Sequence, residues 1–145
     1  MVYVWHRAAH EYRWYRPYHD IHHIYSVSFS WAGTYLHPFE ILSVLVCQAI
    51  PIYLFQCHTI SVWMHMCMWT YFLDEQHSDY DVPWSLSRLV PAIGGGASQH
   101  APHHIKGNCN YGFVFTIWDK LCGTYIQPPL TNPYVEPYKK KWKAR

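Results

Sequence analysis

Eight of the twelve histidines in this 145-residue chain stand in three boxes: His6-Arg-Ala-Ala-His10, His19-Asp-Ile-His22-His23 and His100-Ala-Pro-His103-His104. Twelve histidines scattered at random would give two H-x-x-H-H boxes with a chance of roughly 0.003. On a helix, positions three and four apart share a face, so each box is a row of imidazoles ready to meet a common point. Neutral imidazole binds iron, zinc, copper and nickel. A structural zinc is satisfied by about four ligands, so a larger set points to two ions that each keep room for a further ligand. Histidine-rich storage tracts and tags lack helical spacing and intervening apolar sequence. The fold must therefore bring both ends of the chain to one di-metal site.

Composition supports a packed single domain: half of the residues are hydrophobic and 19% are aromatic. The formal charge is only +2, and the one basic run is Lys139-Lys140-Lys141, so nucleic acid is excluded as a partner. Five cysteines without a C-x-x-C pair argue against a disulfide framework, and they are expected to be small buried hydrophobes in a reducing setting.

Between Ile41 and Leu73 there is no Asp, Glu, Lys or Arg. A single helix of that length would run about 50 Å, longer than a hydrocarbon core of about 30 Å. Pro51 and the polar group Gln56, His58 and Thr59 interrupt it, so a helical hairpin is expected, with arms Ile41 to Phe55 and Ile60 to Leu73. Both arms are short for a full span, which leaves crossing, re-entry and shallow insertion open. His58 and His65 lie in this segment and are expected to bond a neighbouring helix or face a polar cavity, not to bind metal.

Pro17 suits the first turn of a helix carrying His19, His22 and His23. His77 and Asp81 are spaced one helical turn apart before Pro83. Gly94-Gly95-Gly96 lacks any phosphate-loop context and is expected to be a flexible connector. Pro102 is expected in the first turn of a helix, with His100 at its boundary. Tyr111 to Leu121 is expected to be helical, with Gly123 capping it. The fold expected is all-α: a membrane-associated helical bundle at residues 1–126 containing the hairpin at 41–73, followed by an irregular basic tail at 127–145.

With those residues laid out, the chain resembles the fatty acid hydroxylase superfamily of membrane di-iron enzymes. The three boxes are similar to the family's H-x-x-x-H, H-x-x-H-H and H-x-x-H-H pattern, and His37-Pro38-Phe39-Glu40 looks like its H-P-x-E element. Glu75 to Trp84 is similar to its E-x-H-S-G-Y-x-x-P-W segment, with Asp79 where glycine is usual. Asn110-Tyr111-Gly112, Trp118-Asp119 and Gly123-Thr124 resemble its N-Y-G, W-D and G-T signature. Arg88-Leu89-Val90-Pro91, Asn108-Cys109-Asn110 and Trp118-Asp119-Lys120 look most like the cholesterol 25-hydroxylase branch, whereas H-P-F-E favours the C4-methylsterol oxidase and desaturase branch. Ala101-Pro102 replace the acidic or long residues usual in box three. Relatives carry membrane helices ahead of box one, and here Met1 stands five residues before His6, so a fragment or a reduced anchor is expected.

The resemblance implies two iron ions, with zinc a possible substitute, which use dioxygen to hydroxylate a lipid or sterol with electrons from cytochrome b5 or an NAD(P)H-dependent reductase. The ligands it implies are His6, His10, His19, His22, His23, His77, His100, His103 and His104, with His77 taken from the E-x-H-S element. Asp20, Glu40, Glu75, Asp81 and Asn110 are candidates to orient those imidazoles; His37 is left out because Pro38 beside it fits a helix start. An apolar cavity between the hairpin and the histidine face would hold the lipid. Lys141-Trp142-Lys143-Ala144-Arg145 is similar to a dilysine retrieval signal, or equally a headgroup-binding segment, and the expected location is the endoplasmic reticulum membrane. No cleavable signal is expected at Met1 to His6. Three readings follow: a sterol hydroxylase, a C4-methylsterol oxidase or desaturase, and a non-catalytic metal-binding membrane fragment.

Overall fold

In a computed structural model of the chain, residues 1–26, 29–78, 80 and 82–128 are described. Among them every regular element is helical, and the one β-type pairing is an isolated antiparallel bridge between Gly94 and Phe115. Helix α1 (Val2–Glu11) carries box one and buries Tyr3, His6, Ala9 and His10. Helix α2 (Arg16–His19) has Pro17 in its first turn, as expected, but it ends at His19, and His22 lies in a separate 3-10 turn, His22–Ile24. Box two is thus broken in the middle, where a continuous helix was expected.

The apolar segment forms the hairpin. Helix α3 (Pro38–Leu54) and helix α4 (Thr59–His77) are longer than the expected arms. His37 caps α3 and His58 caps α4, each through a ring nitrogen that accepts a backbone N–H. Pro51 lies inside the last turn of α3, so it does not divide the segment; the chain reverses at residues 55–58. The helices run about 25 and 28 Å, and among the described residues no helix is long and apolar enough to cross a membrane. The hairpin exposes Leu42, Leu45, Ile50, Tyr53, Phe55, Trp63 and Met64.

After α4 come the short helix α5 (Leu86–Leu89), helix α6 (Ala97–Lys106) and helix α7 (Ile117–Leu121). Pro102 is in the interior of α6, not its first turn, because Gly96 caps the helix ahead of box three. The lost hydrogen bond is offset by burial of Ala97, Ala101 and Pro102. Residues 111–116 are irregular, with only Ile117–Leu121 helical, because Val114 and Phe115 pair with the glycine strap. Gly123, at φ 69°, stops α7 as expected. Cys109 is buried, while Cys57, Cys67 and Cys122 are exposed and Cys47 is intermediate, against the expectation of buried thiols.

The triple glycine is a packed strap, not a flexible connector. Gly94 to Gly96 are buried, Gly95 N–H donates to Val114 O at 2.9 Å, and a Cβ on Gly94 would lie 2.0 Å from Leu86 O. Helix α4 packs against α6 and the 3-10 turn Ser30–Thr34, which places His77 opposite box three. Gly94→Ala is expected to cost about 1–3 kcal/mol through this overlap, read as a lowered thermal midpoint; an unchanged midpoint would show that the strap is loose.

Candidate metal centre

The fold brings all nine candidate histidines into two adjoining groups. His6, His10, His19, His23 and His103 form one and His22, His77, His100 and His104 the other, with the potential ligand atoms of each group within 4.8 Å of one another. The boxes and the groups are not the same sets. The break after His19 turns His22 away from His19 and His23, and the single helix α6 serves both groups by presenting His103 to one and His100 and His104 to the other.

Outer partners fix the direction of several rings. Nδ1–H of His6 donates to Tyr111 O at 2.9 Å, that of His103 to Cys109 O at 2.8 Å and that of His77 to Leu73 O at 2.7 Å. A carbonyl only accepts, so these rings carry their proton on Nδ1 and turn a bare Nε2 lone pair inward. In the four-histidine group, Nε2 of His77 has the Nε2 atoms of His22, His100 and His104 at 3.2, 3.1 and 3.2 Å, with 3.1 Å between the last two. One lone pair cannot accept from three donors. Moving protons to Nε2 of His100 and His104 only strands their Nδ1 atoms, which are buried without a hydrogen-bond partner. In the five-histidine group, Nε2 of His10 lies 2.9 Å from that of His19 and 3.2 Å from that of His103.

Protonation does not relieve the crowding. Burial first, and neighbouring imidazoles second, lower the pKa of His10 to about 2 and of His23 to about 3, while burial lowers His6 and His77 to about 4. His19, His22, His100, His103 and His104 are lowered for the same reason. Neutral, convergent, nitrogen-only donors fit a borderline transition-metal cation in each group.

Glu40 meets Nδ1 of His19 in a fully buried contact, the carboxylate partner that a ligating imidazole commonly has. Burial pushes the Glu40 carboxyl up to about 8, and a cation beyond His19 would favour its ionised form. The other candidates for this role sit elsewhere. Asp20 is exposed beside Arg16, Glu75 accepts from Ser85 Oγ, and Asn110 holds Gln99 O and the backbone of Ile126. Asp81 and Asp79 lie outside the described residues, as do the basic tail residues from 129 onward. His37 and His58 are caps, and His65 bonds Gln48; none is in either group.

Asp119 is a residue whose role the sequence hid. It is buried, and it accepts from Tyr111 N at 2.8 Å, Gly112 N at 2.7 Å and Thr124 Oγ1 at 2.7 Å. A Cβ on Gly112 would lie 2.5 Å from Asp119 Oδ2. Asp119 thereby fixes the loop whose Cys109 and Tyr111 carbonyls aim His103 and His6. The N-Y-G, W-D and G-T residues are a frame around the imidazoles, a relation that only the folded chain brings out.

One cavity touches the groups and a second adjoins the first. The first, of about 80 Å³, touches His6, His19, His22, His77 and His100. A larger, mainly apolar one of about 490 Å³ lies between α4, the start of α1 and residues 113–118, and the two share Val2, Trp69 and Phe113. The larger is thus beside one arm of the hairpin, with α3 lining only the smaller.

The family model for fatty acid hydroxylase matches residues 1–124. The chain belongs to the fatty acid hydroxylase family. It is 38% identical over 139 residues to the cholesterol 25-hydroxylase of Mus musculus, covering 89% of this chain and 44% of that one. It is likewise 38% identical over 133 residues to cholesterol 25-hydroxylase-like protein 1, member 2, of Danio rerio, covering 90% and 48%. A putative methylsterol monooxygenase of Dictyostelium discoideum is 38% identical over 119 residues, covering 82% and 44%. The chain therefore spans about half the length of these relatives. No solved structure matches it.

Asp119→Ala is expected to weaken metal binding about 10–100-fold by freeing the carbonyl loop, measured by chelator competition; unchanged affinity would remove Asp119 from the frame. Acid should act steeply on the metal-free chain. A histidine with a folded pKa of about 4, such as His6 or His77, is protonated first in the unfolded chain. Its contribution is complete above pH 6.5 and lost as pH falls from 6.5 towards 4, about 1.4 kcal/mol per pH unit for each such group. Denaturant melts across this window check it, and a flat profile would contradict neutral buried imidazoles.

Proposed function

We propose that this chain is the catalytic part of a membrane oxygenase that uses two iron ions to hydroxylate a sterol or related lipid; hydroxylation of a sterol is what its cholesterol 25-hydroxylase relatives are named for. The observation that carries the reading is the meeting of two imidazole groups with an apolar cavity that reaches them. His6, His10, His19, His23 and His103 would hold one ion and His22, His77, His100 and His104 the other, with zinc able to substitute.

Iron held there supplies the redox chemistry that takes a C–H bond, dioxygen, two electrons and two protons to an alcohol and water; cytochrome b5 or an NAD(P)H-dependent reductase supplies the electrons. The chain's own residues do the rest. Trp69, Leu73 and Phe113 wall the approach to the histidines with apolar surface, which excludes water and places a hydrocarbon segment beside them. Glu40 and the Tyr111 and Cys109 carbonyls hold His19, His6 and His103 in orientation. The exposed apolar hairpin suits a lipid surface, and the endoplasmic reticulum membrane is the location proposed.

Oxidation or desaturation at a methylsterol is the second reading, favoured by His37-Pro38-Phe39-Glu40 and by the Dictyostelium relative. The purified chain is expected to hold about two metal ions, falling on His22→Ala or His103→Ala. Cells expressing it should gain an oxidised sterol, resolved by mass spectrometry, that the His22→Ala variant does not form. A chain holding one ion or none would sink the two-metal reading, and a full metal complement with unchanged sterols would favour a non-catalytic metal-binding fragment.

A further inference from the structure

The larger apolar cavity is lined by a histidine that the metal centre does not use. His65, exposed on α4, lines it, and its Nε2 is 3.0 Å from Oε1 of the buried Gln48 on α3. The amide oxygen only accepts, so Nε2 carries the ring proton, and Nδ1 is left as a bare lone pair that can accept from a hydroxyl. On the same wall the Tyr3 hydroxyl is engaged with Thr124 Oγ1 at 3.0 Å, and Trp69 and Trp118 offer only indole N–H donors.

The position of His65 sets a length. Successive i, i+4 neighbours on α4 lead from His65 to Trp69, Leu73 and His77, the first in the larger cavity, Trp69 in both, Leu73 and His77 in the smaller. Twelve residues at 1.5 Å each put His65 about 18 Å along the helix from the His77 ligand position. This is comparable to the extended length of a sterol from its ring hydroxyl to the end of its side chain. The methyl carbons on C4 are only a few bonds from that hydroxyl and could not reach the histidines while it is held at His65.

We infer that the His65–Gln48 pair anchors the hydroxyl of an amphipathic lipid, a sterol in this case, which enters tail first so that oxidation falls on the end remote from the hydroxyl. The inference rests on the oxygenase reading for its reaction, but the anchor itself is a binding claim. It favours side-chain hydroxylation over attack at C4.

The test uses the full chain in detergent, with radiolabelled cholesterol displaced by unlabelled cholesterol or by cholesterol methyl ether. The wild type is expected to prefer the free hydroxyl roughly five- to tenfold, the loss that a missing hydrogen bond brings. His65→Leu should abolish the preference and His65→Gln restore part of it, with metal content unchanged in both. A wild type without preference, or a His65→Leu variant that keeps it, overturns the anchor. Products separate the two claims. A chain that oxidises cholesterol and its methyl ether equally well, or attacks near the ring hydroxyl, refutes the anchor and leaves the oxygenase standing. A chain that keeps the preference yet oxidises neither refutes the oxygenase and leaves the anchor.

Discussion

Everything in this fold is arranged around imidazole nitrogens that point at one another. His77 Nε2 faces three other Nε2 atoms at 3.1–3.2 Å, and burial has removed protonation as a way to satisfy them. Packing bare lone pairs against each other in a low-dielectric interior is unfavourable unless a cation sits among them. The usual relation between core and ligand is thereby inverted: the largest fully buried side chains include His19, His77, His103 and Glu40, while Trp31, Tyr53, Phe55 and Trp63 are outside. In the oxygenase reading, a chain with this distribution would draw much of its interior stability from what the histidines bind, and its exposed apolar surface would suit a lipid or hydrophobic phase.

The frame follows from that constraint. An imidazole aims correctly only if its other nitrogen is tied down, so the carbonyls of Tyr111, Cys109 and Leu73 and the Glu40 carboxyl act as guides. Those guides need guides in turn. Asp119 gathers Tyr111, Gly112 and Thr124, and Gln76 donates to Phe113 O, so the segment that wraps the site is held from both sides. Close approach of Gly33 to His77, where a Cβ would be 2.9 Å from Nδ1, completes the enclosure.

Much of this was legible in the sequence, because imidazoles at helical spacing and a run without charge are strong local signals. The hairpin, its charge-free extent and eight of the nine histidines came from such patterns, and His77 came from the resemblance of its segment to the family's E-x-H-S element. What could not be read was how the chain divides the histidines. One break after His19 sends the members of box two to different groups, and α6 starts at Ala97 because of a glycine strap pinned by Val114, a contact remote in sequence. Asp119 was hidden for a different reason: its partners at Tyr111 and Gly112, eight and seven residues away, meet it only because residues 111–116 leave the helix expected there. Cys67 is exposed because an apolar neighbourhood in sequence implies burial only when the helix faces protein, and Cys57 and Cys122 are exposed because they stand in the turns that end α3 and α7.

The central claim is that two cations are held by nitrogen from histidine alone. X-ray absorption at the metal edge of the loaded chain addresses it most directly. Two ions sharing five- and four-histidine groups predict a first shell of imidazole nitrogen, averaging between four and five per ion, with the outer-ring scattering of histidine. For zinc the nitrogens should lie at about 2.0–2.1 Å. A shell containing sulfur, or one dominated by carboxylate oxygen with few imidazoles, would contradict the account.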